Sequence, residues 1–114
     1  MKRLILLAFV ALSLPGLAAD SDPRTLSFTL PARDVHEECM HLNLNDWRKY
    51  EWKSDVPVDF NIHYHRGSKV YFPVKKSATK AESATFAAKS GEDYCWMWTG
   101  GKAPAMIEGR IEAP

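Results

Sequence analysis

Two histidines stand one residue apart, His63 and His65, in the run Val-Asp-Phe-Asn-Ile-His-Tyr-His over residues 58–65. The run alternates, with Val58, Phe60, Ile62 and Tyr64 apolar and Asp59, Asn61, His63 and His65 polar. A period of two marks a strand with one buried face. Imidazoles at i and i+2 of a strand project from the same face, with Cα atoms about 6.5–7 Å apart. That spacing suits two ligands of one Zn²⁺ or Cu²⁺ ion. A pair needs a third ligand, and the candidates are His36, His41, Glu37 and Glu38, which flank Cys39. Met97 or Met40 would add a sulfur if the metal were copper. The competing expectation is an ordinary solvated strand face, and without a third ligand that is what the stripe is. A pH-sensitive contact is a further option, because histidine titrates near neutrality.

Aromatic residues form the second candidate set. Over residues 94–99, Tyr94, Trp96 and Trp98 share one face of a strand, and Cys95, Met97 and Thr99 share the other. If Cys95 lies inside, Trp96 and Trp98 face outward, where with Asp59 and Asn61 they suit a ligand or a protein interface. If the tryptophans form the core, the cysteine is peripheral. The residues leave both arrangements open. Nothing suggests catalysis: there is no Gly-x-Ser-x-Gly elbow and no carboxylate pair placed as acid and base. The residues after His65 are Arg66, Gly67, Ser68, Lys69 and Val70, and no histidine follows. A cupin-type metal site, which needs a glutamate and a third histidine there, is therefore not expected. The expectation is a protein that binds an unknown protein partner or small ligand and is not an enzyme, with Cu or Zn as the possible cofactor.

The elements that must position these residues follow an export signal. Lys2 and Arg3 precede an apolar run over residues 4–14, then Pro15-Gly16 and the small residues Gly16-Leu17-Ala18. This is the pattern of a signal peptide over residues 1–18, cut after Ala18. The run is too short to span a bilayer, which takes about 20 residues, and no second apolar run follows. Residues 19–25 read as a flexible lead-in and 26–114 as one domain. Of the 15 basic side chains, Lys2 and Arg3 leave with the signal, against 14 acidic ones, so the mature chain carries one acid in excess. Near-neutral charge argues against nucleic acid as a partner. The two cysteines, Cys39 and Cys95, both lie in the exported part. An even count in an oxidising compartment favours one disulfide, and the alternative is a thiolate ligand for a metal.

Short alternating runs separated by turn residues fill the rest. Strands are predicted over residues 26–30, 36–42 (with one turn of helix as the alternative), 47–53, 56–65, 69–74, 84–88, 94–99 and 105–112. Asn43-Leu44-Asn45-Asp46, Ser54-Asp55, Arg66-Gly67-Ser68 and Ser90-Gly91-Glu92-Asp93 are the predicted turns. Residues 75–83, polar and carrying Lys75, Lys76 and Lys80, read as a solvated loop or a short helical turn. Seven or eight short strands with no helical periodicity predict an all-β chain, an antiparallel β-sandwich.

The order of these features resembles a known family. It comprises Glu37-Glu38-Cys39, Val58-x-Phe60-x-Ile62, Gly67-x-x-Val70, Phe86-Ala87-Ala88 and Gly91-x-x-Tyr94-Cys95. Together these are similar to the GOLD (Golgi dynamics) domain of cargo receptors in the early secretory pathway. They are closer still to small exported bacterial proteins that carry such a domain alone. The resemblance spans roughly residues 26–112. It implies a jelly-roll-like sandwich with Cys39 and Cys95 bridged across it, while the export signal implies a periplasmic or extracellular location. Those receptors work through a membrane anchor, a coiled-coil stalk and a cytosolic tail, for which this chain has no candidate segment. Their trafficking role does not carry over.

Overall fold

Period-two alternation extends through most of the chain, and strands form wherever it does. The computed structural model describes residues 23–114. The expected signal segment over 1–18 and the start of the lead-in lie outside the described residues. The described residues form six strands: β1 (Arg24–Leu30), β2 (Val35–Leu42), β3 (Trp47–Arg66), β4 (Lys69–Ala87), β5 (Glu92–Thr99) and β6 (Ala105–Ile111). Among the described residues there is no helix, as an all-β reading requires. The first strand begins at Arg24, so the last residues of the expected lead-in are already paired, Arg24 opposite Ile111 and Thr25 opposite Arg110.

Six strands stand where seven or eight were expected because two of them are long. Ser54 and Asp55 do not reverse the chain. The register of β3 against β4 shifts between Lys53 and Val58, and β3 continues through the irregularity. Ser54 Oγ donates to the Val56 carbonyl at 2.6 Å, and Asp55 Oδ1 accepts from the Met106 N–H at 2.8 Å. Turn-forming side chains and Pro57 here make a bulge, which bends a strand and increases its twist. The polar residues 75–83 are likewise strand, not loop or helix. They extend β4 along β3 from Lys69 opposite Arg66 to Ala87 opposite Trp47. An edge strand facing water has no need of apolar alternation, which is why β4 does not look like one.

The bulge is also where β3 changes partners. Along its other edge, Tyr50–Ser54 pair with β6 and Asp59–His63 pair with β5. β1 completes one half by pairing with β6, and β2 completes the other by pairing with β5. All pairings are antiparallel. The sheet curls on itself, so that Phe28 of β1 meets Trp98 of β5 with ring centroids 5.5 Å apart, and Trp52 meets the same ring at 6.2 Å. Gly109 lets β6 lie close at this bend. A Cβ there would collide with the Glu51 carbonyl oxygen and sit 2.6 Å from Trp52 Cα. The enclosed core includes Leu26, Leu30, Tyr50, Trp52, Val58, Phe60, Ile62, Trp96, Trp98, Ile107 and Ile111.

Trp96 and Trp98 are each 0% exposed, so they are core and not an outward platform for a sugar or a partner. The inner face of β5 takes the aromatics and its outer face takes Cys95 and Met97. Cys39 and Cys95 are joined by a disulfide. They sit directly opposite one another on the adjacent strands β2 and β5. The bridge therefore staples two neighbours and does not cross the core.

Candidate functional site

On the outer face of the β2–β5–β3 sheet, register alone assembles a row of chemistry-bearing side chains. Cys39 lies opposite Cys95, and Cys95 lies opposite His63. One row along, Glu37 lies opposite Met97, which lies opposite Asn61. Side chains directly opposite in adjacent strands have Cβ atoms about 4.5–5.5 Å apart, so three strands bring their donors within reach of one centre.

His63 is the focus. It is only 4% exposed, and Asn61 beside it is buried too. The expectation of a solvated polar stripe fails here, because the Phe72 ring, 5.8 Å from the imidazole, and Glu37 cover it. The His63 Nδ1–H donates to Asn61 Oδ1 at 2.7 Å, since an amide oxygen only accepts. This leaves Nε2 facing Glu37 Oε1 at 3.5 Å. Burial pushes the His63 pKa down, against the pull of the Glu37 carboxylate, and His65 adds to the lowering. The ring is therefore neutral near pH 7, with an Nε2 lone pair aimed at a carboxylate. Two acceptors facing each other need a shared cation or proton between them. A tetrahedral ion bonded at about 2.0–2.1 Å to each would set these atoms roughly 3.3–3.4 Å apart, close to the spacing present.

His65 is exposed at the next outward position, its ring centroid 5.3 Å from that of His63. Among the described residues, one set of three possible ligand atoms lies within 4.8 Å of one another: those of Glu37, His63 and Cys95. His65 is outside that set, and the Cys95 sulfur is committed to the disulfide.

The other sequence candidates do not join the group. His36 stacks on Phe28 with ring centroids 3.7 Å apart, and its Nε2 lies 2.9 Å from Glu38 Oε1. Glu38 in turn accepts from Arg24 Nη1 at 3.3 Å. Strand alternation puts both on the opposite face from Glu37. His41 is held by Asp93 Oδ1 at 2.8 Å and Asn43 Oδ1 at 3.1 Å. Its pKa is raised, chiefly by the Asp93 hydrogen bond. Met40 is buried in the core, whereas Met97 shares the outer row with Glu37. Asp59 serves the fold instead, because its Oδ1 accepts from the Ala78 N–H at 2.9 Å. That bond holds Ala78 at φ 48°, in the left-handed region that strains an L residue.

Comparison with known proteins adds a statement about fold only. No protein-family model matches the chain, and no curated protein matches its sequence. Among solved structures it is similar to the Yersinia pseudotuberculosis-derived mitogen, at TM-score 0.52 and 8% identity. The match covers 83% of this chain and 88% of that one. At that identity the likeness places the strands in a shared arrangement and carries nothing about the site.

Proposed function

We propose that this chain is an exported, non-enzymatic module, a jelly-roll-like β-sandwich of the GOLD type, that binds a divalent metal ion through His63 and Glu37. The observation that carries it is the Nε2 lone pair of a neutral, Asn61-oriented imidazole set 3.5 Å from a carboxylate oxygen. A ligating histidine characteristically donates its other ring N–H to a second group that fixes the tautomer, and Asn61 does this for His63. His65, exposed alongside, is the third protein ligand once its ring turns inward. Support for the export reading comes from the N-terminal pattern and the disulfide. Calorimetric titration of the oxidised protein with Zn²⁺ and Cu²⁺ tests the reading. Wild type binds one ion, Asn61→Ala binds about 10–100-fold more weakly, and His63→Ala gives no specific heat. Equal, weak heats in all three proteins would sink it.

A protein partner is the second reading, favoured by Val70, Tyr71 and Phe72, which are exposed near the free end of the β3–β4 hairpin. Among the described residues β4 pairs only with β3, and an open edge beside an apolar patch fits a second copy of the chain. Sedimentation of wild type against Tyr71→Ser/Phe72→Ser checks this. A concentration-dependent dimer lost in the variant supports it, and a monomer throughout removes it.

A further inference from the structure

Cys95 Sγ lies within 4.8 Å of the His63 and Glu37 ligand atoms, and the disulfide withholds it. Cys95 is 8% exposed, whereas Cys39, its bridge partner, is open to solvent. The two residues of one S–S bond thus have different surroundings: Cys39 is exposed, and Cys95 Sγ lies beside the His63–Glu37 pair.

We propose that the Cys39–Cys95 disulfide is a redox gate on this site, and that its reduction creates a tetrahedral Zn²⁺ site from Cys95, Cys39, His63 and Glu37. The proposal rests on the His63–Glu37 reading and adds to it the ligands that complete the sphere. The step runs as thiol–disulfide exchange with a dithiol reductant. A reductant thiolate attacks the Sγ of Cys39, the more exposed of the two residues, the S–S bond breaks, and Cys95 leaves as a thiolate beside His63. The second reductant thiol then displaces Cys39 from the mixed disulfide. Two electrons pass to the protein, and the reductant becomes a disulfide. Zn²⁺ then takes both sulfurs as thiolates, and any proton they carry is released on binding.

Geometry and donor chemistry both favour this product. Zn–S bonds of about 2.3 Å and Zn–N bonds of about 2.0–2.1 Å put tetrahedral ligand atoms roughly 3.3–3.8 Å apart. The His63, Glu37 and Cys95 atoms already lie within 4.8 Å of one another, so side-chain rotations close the remaining gap. Cys39, directly across from Cys95, projects from the same outer face. Two thiolates, one neutral imidazole and one carboxylate make a soft, anionic set that selects zinc over calcium or magnesium. With the bridge closed, both sulfurs are unavailable as thiolates, and the site keeps only His63, Glu37 and the outlying His65.

Co²⁺ substitutes for Zn²⁺ and reports thiolate ligands by a sulfur-to-cobalt charge-transfer band. The full exported chain is titrated with Co²⁺, then with competing Zn²⁺, both oxidised and after reduction with a phosphine, which leaves no competing thiol. The expected result is one Co²⁺ per reduced chain with the charge-transfer band and intense tetrahedral d–d bands, and no such band when oxidised. Zn²⁺ affinity rises at least about a hundredfold on reduction. Reduced Cys95→Ser and reduced His63→Ala lose the tetrahedral signature. Cys39→Ser, which frees the Cys95 thiol without any reductant, keeps a weaker charge-transfer band while far-UV circular dichroism shows the strands intact. Binding that is the same in both redox states, or a folded Cys39→Ser with no band, overturns the gate while leaving the His63–Glu37 reading in place. Binding only after reduction upholds the gate and removes the oxidised site. No binding in either state ends both.

Discussion

Where Asn61–His63 of β3 pair with β5, both faces of the sheet are withdrawn from water, and they are buried differently. Inward, Phe60 and Ile62 of β3 lie among Trp96 and Trp98 of β5, aromatic rings in tilted and edge contact at 5.3–6.2 Å. Outward on the same strands, Asn61 and His63 are withdrawn from water beside the disulfide, under Phe72 and Glu37. The inner face gains stability from the area it removes from water, at about 25 cal/mol per Å². The outer face gains little, because burying polar groups costs free energy unless each is partnered. His63 has one good partner in Asn61 and one acceptor-to-acceptor contact with Glu37. The outer face is therefore not arranged for stability. Its unresolved contact is what a ligand would satisfy, whereas the inner face has no donor set to offer.

Core truncation separates these roles by the widest margin. Trp98→Ala removes the ring that Phe28, Trp52 and Phe60 all contact, and destabilises the fold by about 3–5 kcal/mol. Met97→Ala, one residue away on the outer face and only half-buried, costs under about 1 kcal/mol. Trp98→Phe falls between them, and closer to Met97→Ala than its lost volume implies. The indole Nε1–H of Trp98 is buried without a hydrogen-bond partner among the described residues, and removing such a donor recovers its desolvation cost. Urea unfolding measures all three. Equal costs for Trp98→Ala and Met97→Ala would erase the distinction between the faces.

That distinction was only half legible in the sequence. Val58, Phe60, Ile62 and Tyr64 announce a core-facing strand because period-two alternation survives in one stretch of chain. The face of β5 was undecidable, since Tyr94, Trp96 and Trp98 compete with Cys95 and Met97, and both sides prove largely buried. The continuity of β3 was hidden by Ser54, Asp55 and Pro57, which have turn chemistry but form a bulge. β4 was hidden by its polarity. Glu37 stood among four candidate third ligands, and only the cross-strand register against β5 and β3 selects it. Pairing over that sequence distance leaves no local signal. Asp59 offered none either, because its partner is a backbone N–H 19 residues away.

A smaller effect distinguishes two positions within the outer face, His63 near the middle of the row and His41 at its rim. The folded-state pKa of His63 is depressed, first by burial. In metal-free protein the unfolded chain therefore binds more protons, and stability falls as pH drops below the unfolded value of about 6.5. His41 has the opposite sign. Its pKa is raised by the hydrogen bond to Asp93, with Asn43 and the Asp46 charge also favouring the protonated ring. Its contribution is fully present below the unfolded value and is lost as pH rises through the folded one. The two act in adjoining windows, His63 below about pH 6.5 and His41 above it, so wild type is most stable near that pH and loses stability on both sides. Urea midpoints in His41→Gln, which keeps only the His63 slope, should still fall towards acid but no longer fall above about pH 6.5. In His63→Asn, which keeps only that of His41, they should be level below about pH 6.5 and fall as pH rises above it. Identical slopes in both variants would mean that neither ring is held as the Asn61–Glu37 and Asp93–Asn43 contacts imply. The asymmetry between a desolvated centre and a solvated rim would then not extend to protons.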